Sequence, residues 1–299
     1  MESLLEWYER YGRRSLPWRL VRGPYYTLVS EFMLQQTQVD RVVPKFEAFV
    51  ARFPNIAALA RASTGDVLRS WQGLGYNSRA VRLHRVARTV VERFGGAIPS
   101  DAAALRELPG IGPYTAAAIR AFGFDLDDAP VDTNIRRIVH RLAFGLEFPP
   151  RAGARELDER ARARVPAGKA HDWNSAMMDL GATICTARAP KCLLCPLRAH
   201  CLAAPIDAAT LDRARRQQAK APSPQSAIPF SQTTRFARGR IVDRLRALAP
   251  GERISLLDLH GDLAPVLPDR SLEEVGMLVA ILERDGLIAR DGETIALCE

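Results

Sequence analysis

The chain has 299 residues, 47% of them hydrophobic, which is length and apolar content for two or three buried cores. Forty-two Lys and Arg against 34 Asp and Glu leave a net charge of +8 and a pI near 9.6, which favours a polyanionic partner such as nucleic acid. No N-terminal apolar leader and no run of about 18 apolar residues occurs, so a secreted or membrane-spanning protein is not expected and a cytoplasmic one is.

Helical spacing of apolar residues runs through 24–53, 64–71, 78–95, 101–108, 113–124 and 134–144, broken by Pro and Gly. Inside the first run, EFMLQQTQV places Glu31 beside Leu28 and Leu34 and follows it with Gln35, Gln36, Thr37 and Gln38. An apolar setting disfavours the charged carboxylate, so Glu31 is expected to hold its proton to higher pH than an exposed glutamate. A glutamate paired with an arginine is the structural alternative.

Residues 108–115, LPGIGPYT, set Gly110 and Gly112 on either side of an apolar residue, with Pro113 opening the next helix. Backbone N–H groups at such a turn and helix start can face one phosphate, the helix-hairpin-helix pattern. In PVDTNIRRIVHRL, Asp132 precedes an apolar-periodic helix, as an N-cap would. The same position suits a carboxylate that faces a developing cation, because the helix dipole favours its charge.

Four of five cysteines fall in CTARAPKCLLCPLRAHC, a C-x6-C-x2-C-x5-C spacing at Cys185, Cys192, Cys195 and Cys201. Four thiols so close together in a cytosolic chain favour a metal site over disulfides, and zinc and iron–sulfur both accept four thiolates. Arg188 and Lys191 in that loop, with Arg198 after it, offer cations to phosphate or form an ordinary basic surface. Cys298 stands alone and reads as structural or incidental.

From residue 207 the pattern fails in a basic, then Pro-, Ser- and Gln-rich stretch, so 205–234 is expected to be a linker. Residues 235–299 show three helical patterns and then two alternating runs around an Asp-Gly turn, a winged-helix-like arrangement. Such a unit docks DNA, serves as a protein contact or packs as an appendage.

The hairpin LPGIGPYT, the Asp of VDTN and the cysteine loop together resemble the helix-hairpin-helix DNA glycosylases related to endonuclease III. LPWR (16–19), SEFMLQQTQV (30–39), WQGLGYNSRA (71–80) and NSAMMDLGATIC (174–185) are similar to the MutY-type adenine DNA glycosylases. The resemblance covers residues 6–204. It implies an all-α, two-lobed fold: a cluster domain from 1–23 and 131–204, and a six-helix barrel from 24–130, with double-stranded DNA across the cleft between them. It makes Cys185, Cys192, Cys195 and Cys201 ligands of a [4Fe-4S] cluster. Glu31 would protonate a flipped, mispaired adenine and later activate water, Asp132 would stabilise the sugar, and Tyr114 and Asn134 would assist and orient them. Tyr114 stands where strand-cutting relatives carry a lysine, which implies a monofunctional glycosylase. The protein is expected to act as a monomer.

Gln35, Gln36, Thr37 and Gln38 would fill the gap left by the flipped base, and Tyr76 would wedge into the stack. Gly110, Gly112 and Thr115 of the hairpin, with Arg188 and Lys191, would hold the backbone. Asn77 departs from the second aromatic that the family often carries there. After residue 204 the chain is too short and wrongly patterned for the family's usual 8-oxoguanine-reading domain, so adenine removal is better supported than selectivity for 8-oxoguanine. A thymine or uracil mismatch glycosylase on the same scaffold and a non-catalytic DNA-binding iron–sulfur protein are the rival readings.

Overall fold

The computed structural model describes residues 2–218 and 228–299. The N-terminal part runs α1 (Glu2–Tyr11), α2 (Pro17–Leu20), α3 (Pro24–Leu34), α4 (Val39–Arg52), α5 (Ile56–Arg61), α6 (Thr64–Ser70) and α7 (Ser78–Phe94). Then follow α8 (Ala102–Arg106), α9 (Pro113–Ala118), a π turn at Ile119–Gly123, α10 (Thr133–Phe144), α11 (Ala154–Arg162), α12 (Ala170–Thr183) and α13 (Ala208–Gln218). The C-terminal part holds α14 (Thr234–Arg246), β1 (Ile254–Ser255), α15 (Leu256–Leu263), α16 (Leu272–Arg284), β2 (Ile288–Asp291) and β3 (Thr294–Leu297). The expected all-α class is thereby corrected to a mostly helical fold with one small sheet.

Two compact units divide the chain. The first comprises residues 1–31, 99–107 and 111–221, and the second 32–98, 108–110 and 222–299. In the first, α12 packs on α1 and α10, and α10 on α11, around Leu4, Tyr8, Ile135, Ile138, Trp173 and Leu180. Side chains that resembled family motifs act here as struts. Arg19 of LPWR and Arg13 both reach Asp179 of α12, at 2.8 Å from Arg19 and 2.7 Å from Arg13, and Asp179 is 1% exposed. Those cations hold the Asp179 carboxyl below its ordinary pKa against the cost of burial. Gly123 is needed for close approach, because a Cβ there would lie 2.7 Å from Pro24 Cα at the start of α3.

In the second unit α5 packs on α7, and α6 on α4 and α7, around Phe46, Phe49 and Trp71. Asn55 and Ser63 cap α5 and α6 with side-chain oxygens, which ends the short connections between them. The C-terminal helices α14, α15 and α16 pack on one another, and Ser271 with Glu274 forms a reciprocal capping box on α16. The sheet order is β1-β3-β2, all antiparallel. The expected hairpin is β2–β3, turning at Gly292, whose φ is +57°. The two-residue strand β1 had no visible period and escapes sequence reading.

Two further expectations change. The helical pattern of 24–53 breaks at 35–38, because three amides and a threonine in a row leave no apolar face to bury. Gln36 there has φ +58°. The stretch expected as a linker carries α13, anchored by the fully buried Leu211. Its part at 219–227 lies outside the described residues.

Candidate active site

The sequence brings three acidic groups to one place in the first unit. Glu31, on the last turn of α3 within that unit, is 9% exposed. Tyr114 sits in the first turn of α9 and donates its hydroxyl hydrogen bond to the Glu31 carboxylate. Asp132 is the N-cap of α10: its Oδ1 accepts from Ile135 N–H at 2.7 Å and its Oδ2 from Asn134 Nδ2 at 3.0 Å. Both the N-cap role and the juxtaposition with Glu31 are therefore present together.

Electrostatics set the protonation of this group. Burial is the main force that raises Glu31 to about 7, the negative charge of Asp132 adds to it, and the Tyr114 hydrogen bond opposes it. The Tyr114 phenol is pushed well above its ordinary value by burial and by both carboxylates, so it remains a donor. A carboxyl titrating near neutrality next to a fixed carboxylate is an acid–base pair with one proton to give.

Behind Asp132 lies a chain of fixed contacts. Asn134 Oδ1 accepts from Arg137 at 2.9 Å, and the same guanidinium donates to the carbonyls of Gly181 at 2.8 Å and Cys185 at 2.9 Å. Gly181 admits Asn134, since a Cβ there would meet Asn134 Cβ at 2.7 Å. The orientation of Asp132 is thus tied to α12 and to the start of the cysteine loop. Arg137 was not singled out from sequence; only its i+3 spacing from Asn134 hints at the pair.

Cys185, Cys192, Cys195 and Cys201 are all free thiols, and with Arg141, Ile184 and Arg198 they line one cavity. Burial first, and then the three other cysteines, push the Cys195 thiol up to about 11. Arg141, only 1% exposed, donates to Cys185 Sγ at 3.5 Å and to Thr186 O at 2.8 Å while Glu147 grips it from the other side. A buried guanidinium facing a sulfur suits a set of thiolates that needs counter-charge. Among the described residues, no three His, Cys, Asp or Glu side chains converge as ligands of a single ion would. Arg188 and Lys191 are exposed on this loop.

In the hairpin, Gly110 takes φ +83° with Arg82 against it, and Gly112 caps α9 with Pro113 as the first helical residue. Thr115 is 6% exposed, so its side chain faces the interior rather than a ligand.

In the second unit the polar run has become a turn that exposes Gln36 and Gln38, with Gln35 and Thr37 half-buried. Its organiser is Arg79, which the sequence reading passed over. Arg79 is 3% exposed and donates to the carbonyls of Phe32 at 3.0 Å, Met33 at 2.9 Å, Leu74 at 3.1 Å and Gly75 at 3.1 Å. It also bonds Gln35 O and, at 3.0 Å, Thr37 Oγ1. One side chain thereby closes the end of α3 onto the 73–78 loop that presents Tyr76. The available signal was an arginine among the apolar positions of α7. Tyr76 is 37% exposed with φ +46°, a conformation uncommon for an aromatic residue.

Comparison with known proteins gives the family. Residues 29–163 match the model of the HhH-GPD superfamily base excision DNA repair proteins. The adenine DNA glycosylase of Mycolicibacterium smegmatis is 39% identical over 298 residues, covering 98% of this chain and 97% of that protein. The chain belongs to the adenine DNA glycosylase family. Another member, from Mycobacterium tuberculosis, is 39% identical over 299 residues, or 97% of this chain and 93% of that one. The human adenine DNA glycosylase is 40% identical over 211 residues, 67% of this chain but only 38% of its own. Among solved structures, a thermostable thymine-DNA glycosylase superposes with TM-score 0.61 at 32% identity, covering 67% of this chain and 92% of that one. Endonuclease III from a DNA complex gives 0.56 at 18% identity over 73% of this chain and 95% of its own, a likeness of fold. No helix among the described residues of this family member is long and apolar enough to cross a membrane.

Proposed function

We propose that this protein is a monofunctional adenine DNA glycosylase of base excision repair, which excises adenine mispaired with 8-oxoguanine or guanine by hydrolysing its N-glycosidic bond. The observation that carries the reading is the Glu31 carboxyl titrating near 7 beside Asp132 and Tyr114. Adenine leaves poorly as an anion, so Glu31 gives its proton to a ring nitrogen as the glycosidic bond breaks and the bonding pair departs with the base. The sugar left behind is cationic, and the Asp132 carboxylate, aimed by Ile135 N–H and Asn134, stabilises it. Glu31, now a carboxylate, takes a proton from the water that adds to the sugar carbon and returns to its starting state. Tyr114 supplies no amine for a Schiff base, which supports hydrolysis without strand cutting.

The partner is duplex DNA with an extruded base, engaged by Gly110, Gly112, Arg188 and Lys191 on the backbone and by Gln35, Gln36, Thr37, Gln38 and Tyr76 at the gap. Thr115 in this scheme contributes backbone rather than side chain. The four cysteines fit a [4Fe-4S] cluster by donor type, shared cavity and the Arg141 counter-charge. Bound there, the cluster would tie the four cysteines of 185–201 together, with Arg141 of α10 against it. The domain scheme carried forward is a cluster domain (1–23 and 131–204), a helical barrel (24–130) and a winged-helix-like unit from 235, acting as a cytoplasmic monomer. Likeness to a thymine-DNA glycosylase keeps one rival substrate class in play.

The test is single-turnover excision on duplexes bearing A opposite 8-oxoguanine, A opposite G, and T or U opposite G, with alkali revealing abasic sites. Breakage at A, and none before alkali, is the expected result. Release of T or U alone would overturn the adenine reading.

A further inference from the structure

Within the second unit the C-terminal part is anchored through α14, the end of β3 and the end of α16. Arg246 of α14 donates to Leu68 O at 2.9 Å and to Asn77 Oδ1 at 2.7 Å. Gly65 of α6 admits the end of β3, because a Cβ there would lie 3.3 Å from Cys298 O, and Arg85 of α7 donates to Asp285 O just past α16 at 3.4 Å. By contrast, α15 and the start of α16 leave large apolar side chains in water. Leu257 on α15 is 67% exposed and Met277 on α16 is 56% exposed, and Val266 and Leu272 between them are exposed as well.

The two helices pack on each other where a Cβ on Gly276 would lie 3.4 Å from Leu256 Cδ2. Leu257 and Met277 are each one residue from that seam. A single exposed apolar side chain is ordinary, whereas several on two packed helices mark a surface that meets a partner. The charge around them is also unlike the rest of the protein. Residues 255–283 carry six carboxylates and one arginine in a chain whose net charge is +8. That arginine, Arg270, is bound to Glu274 at 3.0 Å, and Asp262 is bound to Arg244 at 2.6 Å. Asp258, Asp269 and Glu273 are exposed and have no cationic partner among the described residues.

Charge decides between occupants. In a helix-turn-helix the second helix lies in the major groove, between two phosphate backbones. α16 follows α15 and precedes the β2–β3 hairpin as such a helix would, but Glu273, Met277 and Ala280, at i, i+4 and i+7, form its exposed stripe. Carboxylates there repel phosphate, and the apolar side chains offer it no donor. We propose that the α15–α16 face docks a partner protein through a cationic amphipathic helix. The apolar stripe of that helix covers Leu257 and Met277, and its lysines or arginines meet Asp258, Asp269 and Glu273. The inference concerns a partner of the C-terminal part and rests on no step of the excision chemistry.

The test uses the full chain and a fluorescein-labelled Leu/Lys peptide of about 18 residues with leucines at helical spacing, beside a scramble of the same composition that breaks the spacing. Fluorescence anisotropy is measured for wild type, the Leu257→Ser/Met277→Ser double variant, Glu273→Lys and, as a distant surface control, Glu9→Lys. The double variant and Glu273→Lys are each expected to bind the peptide about tenfold more weakly than wild type. Their melting temperatures, duplex affinity and excision rates are expected to stay at wild-type values. Glu9→Lys is expected to match wild type, and the scramble to bind weakly throughout. Equal binding of peptide and scramble, or of wild type and both variants, would overturn the proposal. A double variant that loses duplex affinity would overturn it in favour of a DNA-facing surface. A wild-type dimer in sedimentation that the double variant abolishes would overturn it in favour of a second copy of the chain.

Discussion

Two buried charges, Glu31 in the first unit and Arg79 in the second, are put to opposite uses. Glu31 has one phenolic donor and a like-charged neighbour, so its proton is loosely committed near neutral pH. Arg79 is surrounded by backbone carbonyls and a hydroxyl, and although burial lowers it to about 10 it stays charged. A buried charge with few partners is reactive, whereas one gripped by many is architecture.

Breaking the first half of this contrast gives the largest effect. Glu31→Gln is expected to lose about 10²–10⁴-fold in excision rate, measured in single turnover, because the proton donor is gone. The same variant should be more stable at pH 8. The Glu31 carboxyl is raised from 4.5 to about 7 on folding, so its contribution is full below pH 4.5 and is lost as pH rises through 7. By pH 8 the buried carboxylate costs about 3 kcal/mol, which glutamine removes. Urea unfolding between pH 5 and 8 checks this: a wild-type stability that does not decline toward pH 8 would mean that Glu31 is ordinary. Excision by wild type should likewise fall as pH rises through about 7.

The second half predicts a loss of fold rather than of chemistry. Arg79→Ala strands several buried carbonyls and is expected to cost about 3–5 kcal/mol, read as an earlier urea midpoint. A stable Arg79→Ala protein would erase the distinction drawn between the two charges. A smaller change sharpens it from the first unit. Gly181→Ala places a methyl 2.7 Å from Asn134 Cβ, so about 1–3 kcal/mol of stability is expected to go. The excision rate should fall further than that loss explains, because Asn134 aims Asp132.

Much of the chemistry was legible in the sequence because it is carried by residue type and short spacing. The Gly-x-Gly turn, the four cysteines, the Asp132 cap and the Asp-Gly hairpin each depend on neighbours within a few positions. The break of helix at 35–38 was written there as well, in three amides and a threonine, but the apolar periodicity on both sides overrode it. Arg79 was illegible, because four of its partners, Phe32, Met33, Gln35 and Thr37, lie more than forty positions away.

The sequence by itself determined which groups are available: an acid in an apolar helix, a carboxylate at a helix start, thiols in one loop and an excess of arginine. Only the tertiary structure decided what those groups do. It set Tyr114 and Asp132 against Glu31, closed Arg79 over the end of α3, and brought Arg235 of the C-terminal segment onto Tyr76. The physical reason is that pKa, strain and cation–π contact depend on desolvation and on groups far apart in the chain, which local spacing does not encode.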